Sequence, residues 1–180
     1  MAAATEWVEA NPPIAGGLLD VDRRWISTNG ALLAWLESRG PALSVARGIA
    51  ESIRKQLEAL FPLMDDLSRA TCPWCPEPCC IVTRVWFDFR DLLLLHLLAV
   101  PVPPGPIGRR SGIPCRYLRA HGCRLPRLLR PWACSQYVCG TQRRFLAKTR
   151  GKAAVEALDA EITEIGLMRI AMEEAVQETP

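Results

Sequence analysis

A mainly α-helical fold is predicted for this sequence, as a helical bundle from both chain ends around an irregular centre rich in proline and cysteine. Two observations predict it. Apolar residues recur at steps of three and four over 46–67 and 155–176, which is the spacing of one helix face. Ten of the fifteen prolines lie within 73–131, and proline lacks the backbone donor that a helix needs. The centre is therefore expected to be mostly loop, with room for one short strand pair.

A length of 180 residues is enough for one domain with a core of its own. We expect a single domain over 1–180. It would contain N-terminal helices over 26–69, a cysteine-cluster core over 71–140 and a C-terminal helix over 141–178. Residues 1–25 carry Asn-Pro-Pro and Gly-Gly and are expected to be irregular.

Two helices are predicted before the cysteines. The Ser-Thr-Asn run at 27–29 can cap a first helix, which Gly40 ends. A second helix carries the apolar stripe of 46–67. Pro62 lies inside this stripe and is expected to kink the helix or to split it after Leu60.

The later elements follow from composition and turn residues. The β-branched and aromatic run Ile81–Phe87 predicts a short strand. Asp88 or Asp91 can cap a helix through the leucine-rich run that follows. Near the C-terminus, a helical piece at 142–148 is expected to be separated by Gly151 from the long last helix.

The N-terminus shows no secretory signal, because it lacks a basic start and an apolar stretch. The longest apolar run, 92–102, is about half of the ~20 residues that a membrane helix needs. We therefore expect a cytoplasmic protein with no membrane partner. In that reducing compartment, clustered cysteines are ligands or redox groups more often than disulfides.

All eight cysteines fall into two blocks, Cys72-x2-Cys75-x3-Cys79-Cys80 and Cys115-x7-Cys123-x10-Cys134-x4-Cys139. A Cys-x2-Cys pair lets two sulfurs of one loop reach a single ion. We expect all eight to be metal ligands, and the metal to be zinc or iron, with a 4Fe–4S cluster among the candidates.

Three kinds of site are open on spacing alone. Two zinc ions could each take four thiolates and be structural. One iron–sulfur cluster would use four cysteines and leave four for a second centre or for redox chemistry. A mononuclear site with fewer protein ligands could keep an open position. His121 could replace one thiolate on zinc, and the alternative to every metal site is a set of unreactive thiols.

Several residues near the cysteines could surround such a centre. Trp74 and Trp132 could shield it from water, and Arg130, Tyr117 and Tyr137 could donate hydrogen bonds to sulfur. Ordinary packing or surface positions are the alternative for each of them.

Twelve of the 22 basic residues lie between Asp91 and Glu156, an interval without an acidic residue. One interpretation is charge balance, because four thiolates on one zinc ion carry a net negative charge. The other is a surface that follows the phosphates of RNA or DNA. We favour charge balance, because the arginines are not interleaved with a recognisable nucleic-acid fold.

The two blocks also carry a family resemblance. The first block is followed by Phe-Asp-Phe-Arg-Asp-Leu, and the second contains Pro114-Cys115-x-Tyr117-Leu118, His121-Gly122-Cys123-x-Leu125 and Arg130-Pro131-x2-Cys134-x2-Tyr137. Over about residues 70–140 this resembles the YkgJ-like cysteine-cluster family, described as zinc- or iron-chelating. The resemblance implies metal or iron–sulfur binding, and flagellin lysine N-methylases contain a related cluster. This chain departs from the family pattern by having three residues rather than two before its Cys-Cys pair.

The resulting prediction is a metal-binding protein that holds zinc or an iron or iron–sulfur centre through eight cysteines. It would be an accessory or structural module whose partners are a metal ion or cluster and another protein. The alternative is an iron–sulfur redox enzyme or a component of a protein-modifying enzyme. No Ser-His-Asp order, phosphate loop or dinucleotide motif is present.

Overall fold

The computed structural model describes residues 18–76, 79–83, 85–107, 115–119 and 122–179. Over these residues the protein is mainly α-helical, which confirms the predicted class. The α-helices are α1 (Leu18–Arg39), α2 (Ser44–Thr71), α3 (Cys79–Val82), α4 (Phe89–Leu97), α5 (Trp132–Ser135), α6 (Gly140–Arg150) and α7 (Lys152–Gln177). Turns of 3-10 helix cover Gly40–Leu43, Cys72–Trp74 and Arg127–Leu129, and strands β1 (Leu118–Arg119) and β2 (Gly122–Cys123) form an antiparallel pair.

Helix α1 begins at Leu18, well before the cap that the sequence predicted at 27–29. The prediction of an irregular segment is therefore wrong for residues 18–25. The rest of that prediction falls on residues 1–17, which lie outside the described ranges.

The polar residues of α1 do not cap the helix, because they bond back to its preceding turn. Ser27 Oγ donates to Arg24 O at 3.0 Å, and Asn29 Nδ2 donates to Trp25 O at 2.9 Å. Such bonds let serine and asparagine lie inside a helix instead of starting it. Trp25 is buried, and its Nε1 donates to Pro103 O at 2.8 Å, which ties α1 to the loop after α4.

Helix α2 runs without a break through Pro62, so the predicted split after Leu60 does not occur. The 3-10 turn at Gly40–Leu43, with Pro41 in its first positions, comes before it. One face of α2 is buried along its whole length, as its spacing predicted, through Ala46, Ala50, Ile53, Leu57, Leu60, Met64 and Leu67.

The core lies between the two long helices. Helices α2 and α7 pack along each other, and α6 lies against both. Gly151 has a φ of 88°, which glycine adopts without strain, and it separates α6 from α7 as predicted. Helix α4 packs against α1, α2 and α7, so that Leu92 and Leu93, both 0% exposed, join the same core as Ile165.

The predicted strand Ile81–Phe87 is wrong. Residues 79–82 form the one-turn helix α3, and 85–88 have no regular secondary structure. Burial still alternates as in a strand, because Val85 and Phe87 are buried while Trp86 is 63% exposed. Within the described ranges no strand pairs with this segment, so its backbone forms no ladder.

The predicted cap of α4 is confirmed as a reciprocal pair of hydrogen bonds. Asp88 Oδ1 accepts from the Asp91 backbone N–H at 2.8 Å, and Asp91 Oδ2 accepts from the Asp88 backbone N–H at 3.0 Å. Among the helices of the described ranges, none combines the length and the apolar composition that crossing a membrane requires.

Candidate metal centre

The eight cysteines lie on short elements rather than on the long helices. Cys72 starts the 3-10 turn that continues α2, and Cys75 follows it, with its N–H donating to Cys72 O at 3.2 Å. Cys79 and Cys80 begin α3, Cys115 precedes β1, and Cys123 ends β2. Cys134 lies in α5, and Cys139 precedes α6. No disulfide joins any of the eight, and Cys72 is the exposed one.

The second block folds back onto the first. The backbone N–H of Cys115 donates to Cys80 O at 3.3 Å, which places these two cysteines side by side. The β1–β2 pair then aligns Cys123 with Leu118, three residues after Cys115. The N–H of Arg124 extends the hairpin by donating to the Tyr117 carbonyl at 2.9 Å. One backbone hydrogen bond thus joins Cys80 to Cys115 across 34 intervening residues.

The thiols of the second block are close enough to affect one another. Burial, followed by the thiols of Cys80, Cys123 and Cys115, raises the pKa of Cys134 to about 12. Burial also raises the pKa of Cys123, and the Cys115 and Cys80 thiols raise it further against the Leu125 N–H and Arg130. Thiols with raised pKa values stay protonated, so a cation is needed to bring them to the thiolate form that binds metal.

Cys139 lies by the first block instead of by Cys134. Gln142 is 6% exposed and makes the link. Its side-chain Nε2 donates to Cys72 Sγ at 3.9 Å, and its backbone N–H donates to Cys139 Sγ at 3.5 Å. The Gln142 carboxamide oxygen accepts from the Cys139 N–H at 3.1 Å, which completes a capping box at the start of α6. Gln142 was not predicted as a site residue, although its place three residues after Cys139 fits that motif.

The pKa values of Cys72 and Cys79 are shifted in opposite directions. Although Cys72 is exposed as a residue, partial burial of its thiol raises its pKa most, the Cys80 and Cys139 thiols raise it further, and the hydroxyls of Thr71 and Ser68 lower it. A hydrogen bond from the Cys80 thiol holds the pKa of Cys79 below its usual value, against burial and the thiols of Cys72 and Cys134. Cys72, Cys79, Cys80 and Cys139 thus lie close to one another.

The twelve Lys and Arg residues of 109–152, here called the basic block, include four that pair with carboxylates of the long helices. Among its arginines, four form ion pairs at 2.6, 2.5, 2.6 and 3.5 Å, namely Arg116–Asp22, Arg127–Asp65, Arg143–Asp159 and Arg150–Asp66. Arg130 lies near enough to Cys123 and Cys134 for its charge to lower the pKa values of both thiols. Its guanidinium also donates to Leu125 O at 3.0 Å and to Cys123 O at 3.5 Å. Arg109 and Arg110 lie outside the described ranges.

A buried ion network holds the turn that carries Cys134. Asp91 is 5% exposed and Arg169 is 3% exposed, and they pair at 2.9 Å. Asp91 Oδ1 also accepts from the Trp132 N–H at 2.9 Å, at the start of α5. Asp88 pairs with Arg169 at 2.8 Å. Burial raises the pKa of Asp91 to about 6 in spite of the nearby Arg169.

Sequence reasoning missed Arg169, although its position carried a signal. It lies four residues after Ile165 and seven before Val176, on the buried face of α7. An arginine on an apolar stripe requires a buried partner, and that partner is the Asp88–Asp91 cap of α4.

The predicted neighbours of the cysteines have mixed roles. Trp74 is 84% exposed, so it does not shield a centre from water. Tyr117 is buried, and its hydroxyl donates to Gly105 O at 2.5 Å instead of to sulfur. Trp132 is partly buried, with the Arg169 guanidinium 5.4 Å from its ring centroid. His121 lies outside the described ranges.

The fit to a metal is clear in donor chemistry and incomplete in geometry. Thiolates are the ligands that zinc and iron–sulfur clusters take in proteins, and the chain gathers thiols of both blocks. Among the described residues, however, no group of three or more Cys, His, Asp or Glu side chains has the spacing of metal ligands. Binding would therefore have to draw the sulfurs closer together.

Comparisons of the chain with protein-family models, curated proteins and solved structures found no match. The resemblance to the YkgJ-like family stays a prediction.

Proposed function

We propose that this protein is a metal-binding module in which the eight cysteines hold zinc, or an iron or iron–sulfur centre, in an accessory or structural role. The observation that carries the proposal is the return of the second cysteine block onto the first. The backbone N–H of Cys115 donates to the Cys80 carbonyl, and Gln142 donates hydrogen bonds to the sulfurs of both Cys139 and Cys72. Eight thiols, four from each block, contribute to a region that has little regular secondary structure.

The raised pKa values of the thiols support the binding of a cation. Several thiols are partly buried beside each other, and burial with thiol neighbours raises the pKa values of Cys72, Cys123 and Cys134. Ionising such a group is unfavourable until a positive charge is added. A bound divalent ion supplies that charge, and its binding free energy orders the loops that hold it. Zinc would supply structural cross-links, and an iron–sulfur cluster would supply one-electron chemistry.

The ion pairs favour metal over nucleic acid. A phosphate-binding surface needs cations that are free to meet phosphates. Arg116, Arg127 and Arg143 instead pair with carboxylates of the end helices at 2.6, 2.5 and 2.6 Å. These three arginines are thereby engaged within the protein, which favours metal binding over a phosphate-binding surface.

The test is elemental analysis and a visible spectrum of protein purified without oxygen. We expect about two zinc ions per chain and no sulfur-to-iron absorbance if the role is structural. About four irons with acid-labile sulfide would instead favour the redox or protein-modifying enzyme. Protein that is folded, free of stoichiometric metal and reactive to a thiol reagent at all eight cysteines would refute metal binding.

A further inference from the structure

A small cavity lies between α2, α4, α5, α7 and the 3-10 turn at Arg127–Leu129. Its volume of about 10 Å³ gives room for one particle of the size of a water molecule. Most of its wall is apolar, and the polar part consists of Asp91, Arg127, Arg130, Ser135 and Arg169. Three cationic side chains thus line a very small space, together with one carboxylate among the described residues.

Arg169 is almost fully buried in this wall, at 3% exposed, and it uses only one of its nitrogens. Its Nη2 donates to Asp88 at 2.8 Å and lies 2.9 Å from Asp91 Oδ1. Its Nε and Nη1 have no hydrogen-bond partner among the described residues, although a guanidinium carries five N–H donors. Buried donors without an acceptor are unfavourable, so this side of Arg169 calls for an acceptor.

Arg127 and Arg130 also keep donors in reserve. The Arg127 side chain is 8% exposed, and it donates from Nε to Asp65 and from Nη2 to Ser68 Oγ. Arg130 is half-buried, and it donates from Nε and Nη2 to backbone carbonyl oxygens. Over the described ranges neither Nη1 has a partner, and no carboxylate pairs with Arg130. The three arginines therefore surround the cavity with more donors than the chain satisfies.

The remaining polar groups of the wall do not supply the missing acceptors. Asp91 already accepts from the backbone N–H groups of Trp132 and Asp88 and pairs with Arg169. Ser135 is 6% exposed, and its hydroxyl forms no hydrogen bond within the part of the chain that the structure describes. A water molecule would bring two hydrogens that need acceptors, whereas an anion only accepts. The balance of donors and acceptors favours an anion over water.

We infer that this cavity is a binding site for a small monovalent anion of halide size, such as chloride, held by Arg127, Arg130, Arg169 and Ser135. Hydrogen bonds from guanidinium groups to an anion are charge-assisted and are among the strong ones in proteins. A phosphate or sulfate ion, with four oxygens around its centre, exceeds the volume of the cavity. The site does not depend on the metal-binding function proposed above, because none of its ligands is a cysteine.

The bound anion would join segments that are far apart in the chain. Arg169 lies on α7, Arg127 on the 3-10 turn and Ser135 on α5. Ser135 directly follows Cys134, so the anion would fix the turn that carries this cysteine. A ligand that binds only the folded chain stabilises it by mass action. Chloride should therefore stabilise the protein beyond any general effect of salt.

The test uses the full chain as purified, with chloride as the probe. Thermal unfolding is followed by circular dichroism in mixtures of sodium chloride and sodium gluconate at constant ionic strength, which keeps general screening fixed. We expect Tm to rise with the chloride fraction and to reach a plateau. Bromide should give the same saturable rise. The chloride NMR line should broaden in the presence of the protein, and bromide should reverse the broadening by competition.

Variants of the wall assign the response to this cavity. Arg130→Gln removes the cation that has no carboxylate partner among the described residues, and it should abolish the chloride-dependent rise in Tm. Ser135→Ala keeps every charge and should raise the chloride concentration at half of the rise by about tenfold, as expected for the loss of one hydrogen bond to a charged group. Arg143→Gln is the matched control, because Arg143 pairs with Asp159 outside the wall and should respond as the wild type does.

The outcomes separate this site from a surface effect and from the metal centre. A wild-type Tm that is the same in chloride and in gluconate would overturn the inference, and water would then fill the cavity. An unchanged chloride response in Ser135→Ala would place the anion elsewhere and would also overturn it. An equal loss in Arg143→Gln would show that surface charge causes the response. If Arg130→Gln does not fold, Ser135→Ala decides, and zinc content is measured in each variant because chloride can also occupy an open position on zinc.

Discussion

The long helices and the cysteine region are ordered by different means. Helices α2 and α7, of 28 and 26 residues, are regular and bury apolar faces against each other. The cysteine region consists of elements of two to four residues. Leu125 and Val138 of this region join the core, and hydrogen bonds such as Tyr117 to Gly105 and Trp132 to Asp91 tie its loops to the rest of the chain. The helices can form by burial of apolar area, whereas the cysteine region also depends on specific polar links.

The magnitudes explain why a metal would matter in one region and not in the other. Each fully buried aliphatic side chain contributes about 1.5–3 kcal/mol, and α2 and α7 contain many of them. A hydrogen bond contributes a net ~0.5–1.5 kcal/mol, which does not offset the conformational entropy of many ordered loop residues. A structural zinc ion adds about 10 kcal/mol or more in small domains. The cysteine region is therefore where metal binding would decide between order and disorder.

The largest effect is expected at Arg169, which links the two regions. Arg169→Met keeps the length of the side chain but leaves Asp91 buried without its cation. Removing one partner of a buried pair costs about 3–5 kcal/mol. We expect a loss of this order in the free energy of unfolding at neutral pH, measured by urea denaturation with circular dichroism.

The pH dependence of this variant has a defined sign. The pKa of Asp91 is already raised to about 6, and loss of Arg169 raises it further. A carboxyl with a raised pKa in the folded protein stabilises the fold at low pH and loses that contribution as pH rises. The defect of Arg169→Met should therefore be smaller at pH ~5 than at pH ~7. Arg143→Met, which breaks an exposed pair with Asp159, is the matched control and should cost only about 0–1 kcal/mol. Equal losses in both variants would contradict the link.

The sequence predicted the long helices because their pattern is local. The stripe of α2 and the Asp88 cap of α4 depend on residues three or four apart. Two of the errors in the predicted elements came from contacts that the pattern does not contain. Asn29 lies inside α1 because it bonds to Trp25 O, and residues 81–87 lack a neighbouring strand.

The candidate site was predictable in residue type and not in arrangement. The eight cysteines are evident in the sequence. Gln142 holds Cys139 near Cys72, and a backbone hydrogen bond holds Cys80 near Cys115. The spacing of the cysteines in the sequence predicts neither contact. Arg169 escaped notice because its partners are 78 and 81 residues away in sequence, on α4 and at its cap.

A smaller effect is expected within the cysteine region at Tyr117. Its buried hydroxyl donates to Gly105 O at 2.5 Å and accepts from the Gly105 N–H at 3.3 Å. Tyr117→Phe leaves both backbone groups without this partner, which costs about 1–3 kcal/mol where the groups are buried. We expect faster proteolysis near residues 99–107 and 115–119, with the helical circular dichroism of α2 and α7 unchanged. Tyr137→Phe is the control, because Tyr137 is 49% exposed and its change should be neutral. Identical digestion of the two variants would argue that the loop is held by other contacts.

The smallest expected effect is a pH dependence of stability that arises from His96, on helix α4. Asn29 Nδ2 donates to Trp25 O, so Asn29 Oδ1 must accept, and His96 Nε2, 3.0 Å away, carries the hydrogen. Burial lowers the pKa of His96, because the charged ring would lose its water. A histidine with a lowered pKa in the folded protein contributes its full stability above the unfolded pKa of about 6.5, and that contribution declines as pH falls.

The variant His96→Gln retains a donor for Asn29 and cannot titrate in this range. The stability of the wild type relative to this variant should therefore fall between pH ~8 and pH ~5, as measured by urea denaturation. The change should be smaller than the loss in Arg169→Met, because His96 is only partly buried. A difference that is constant over this range would mean that His96 titrates alike in the folded and unfolded chains.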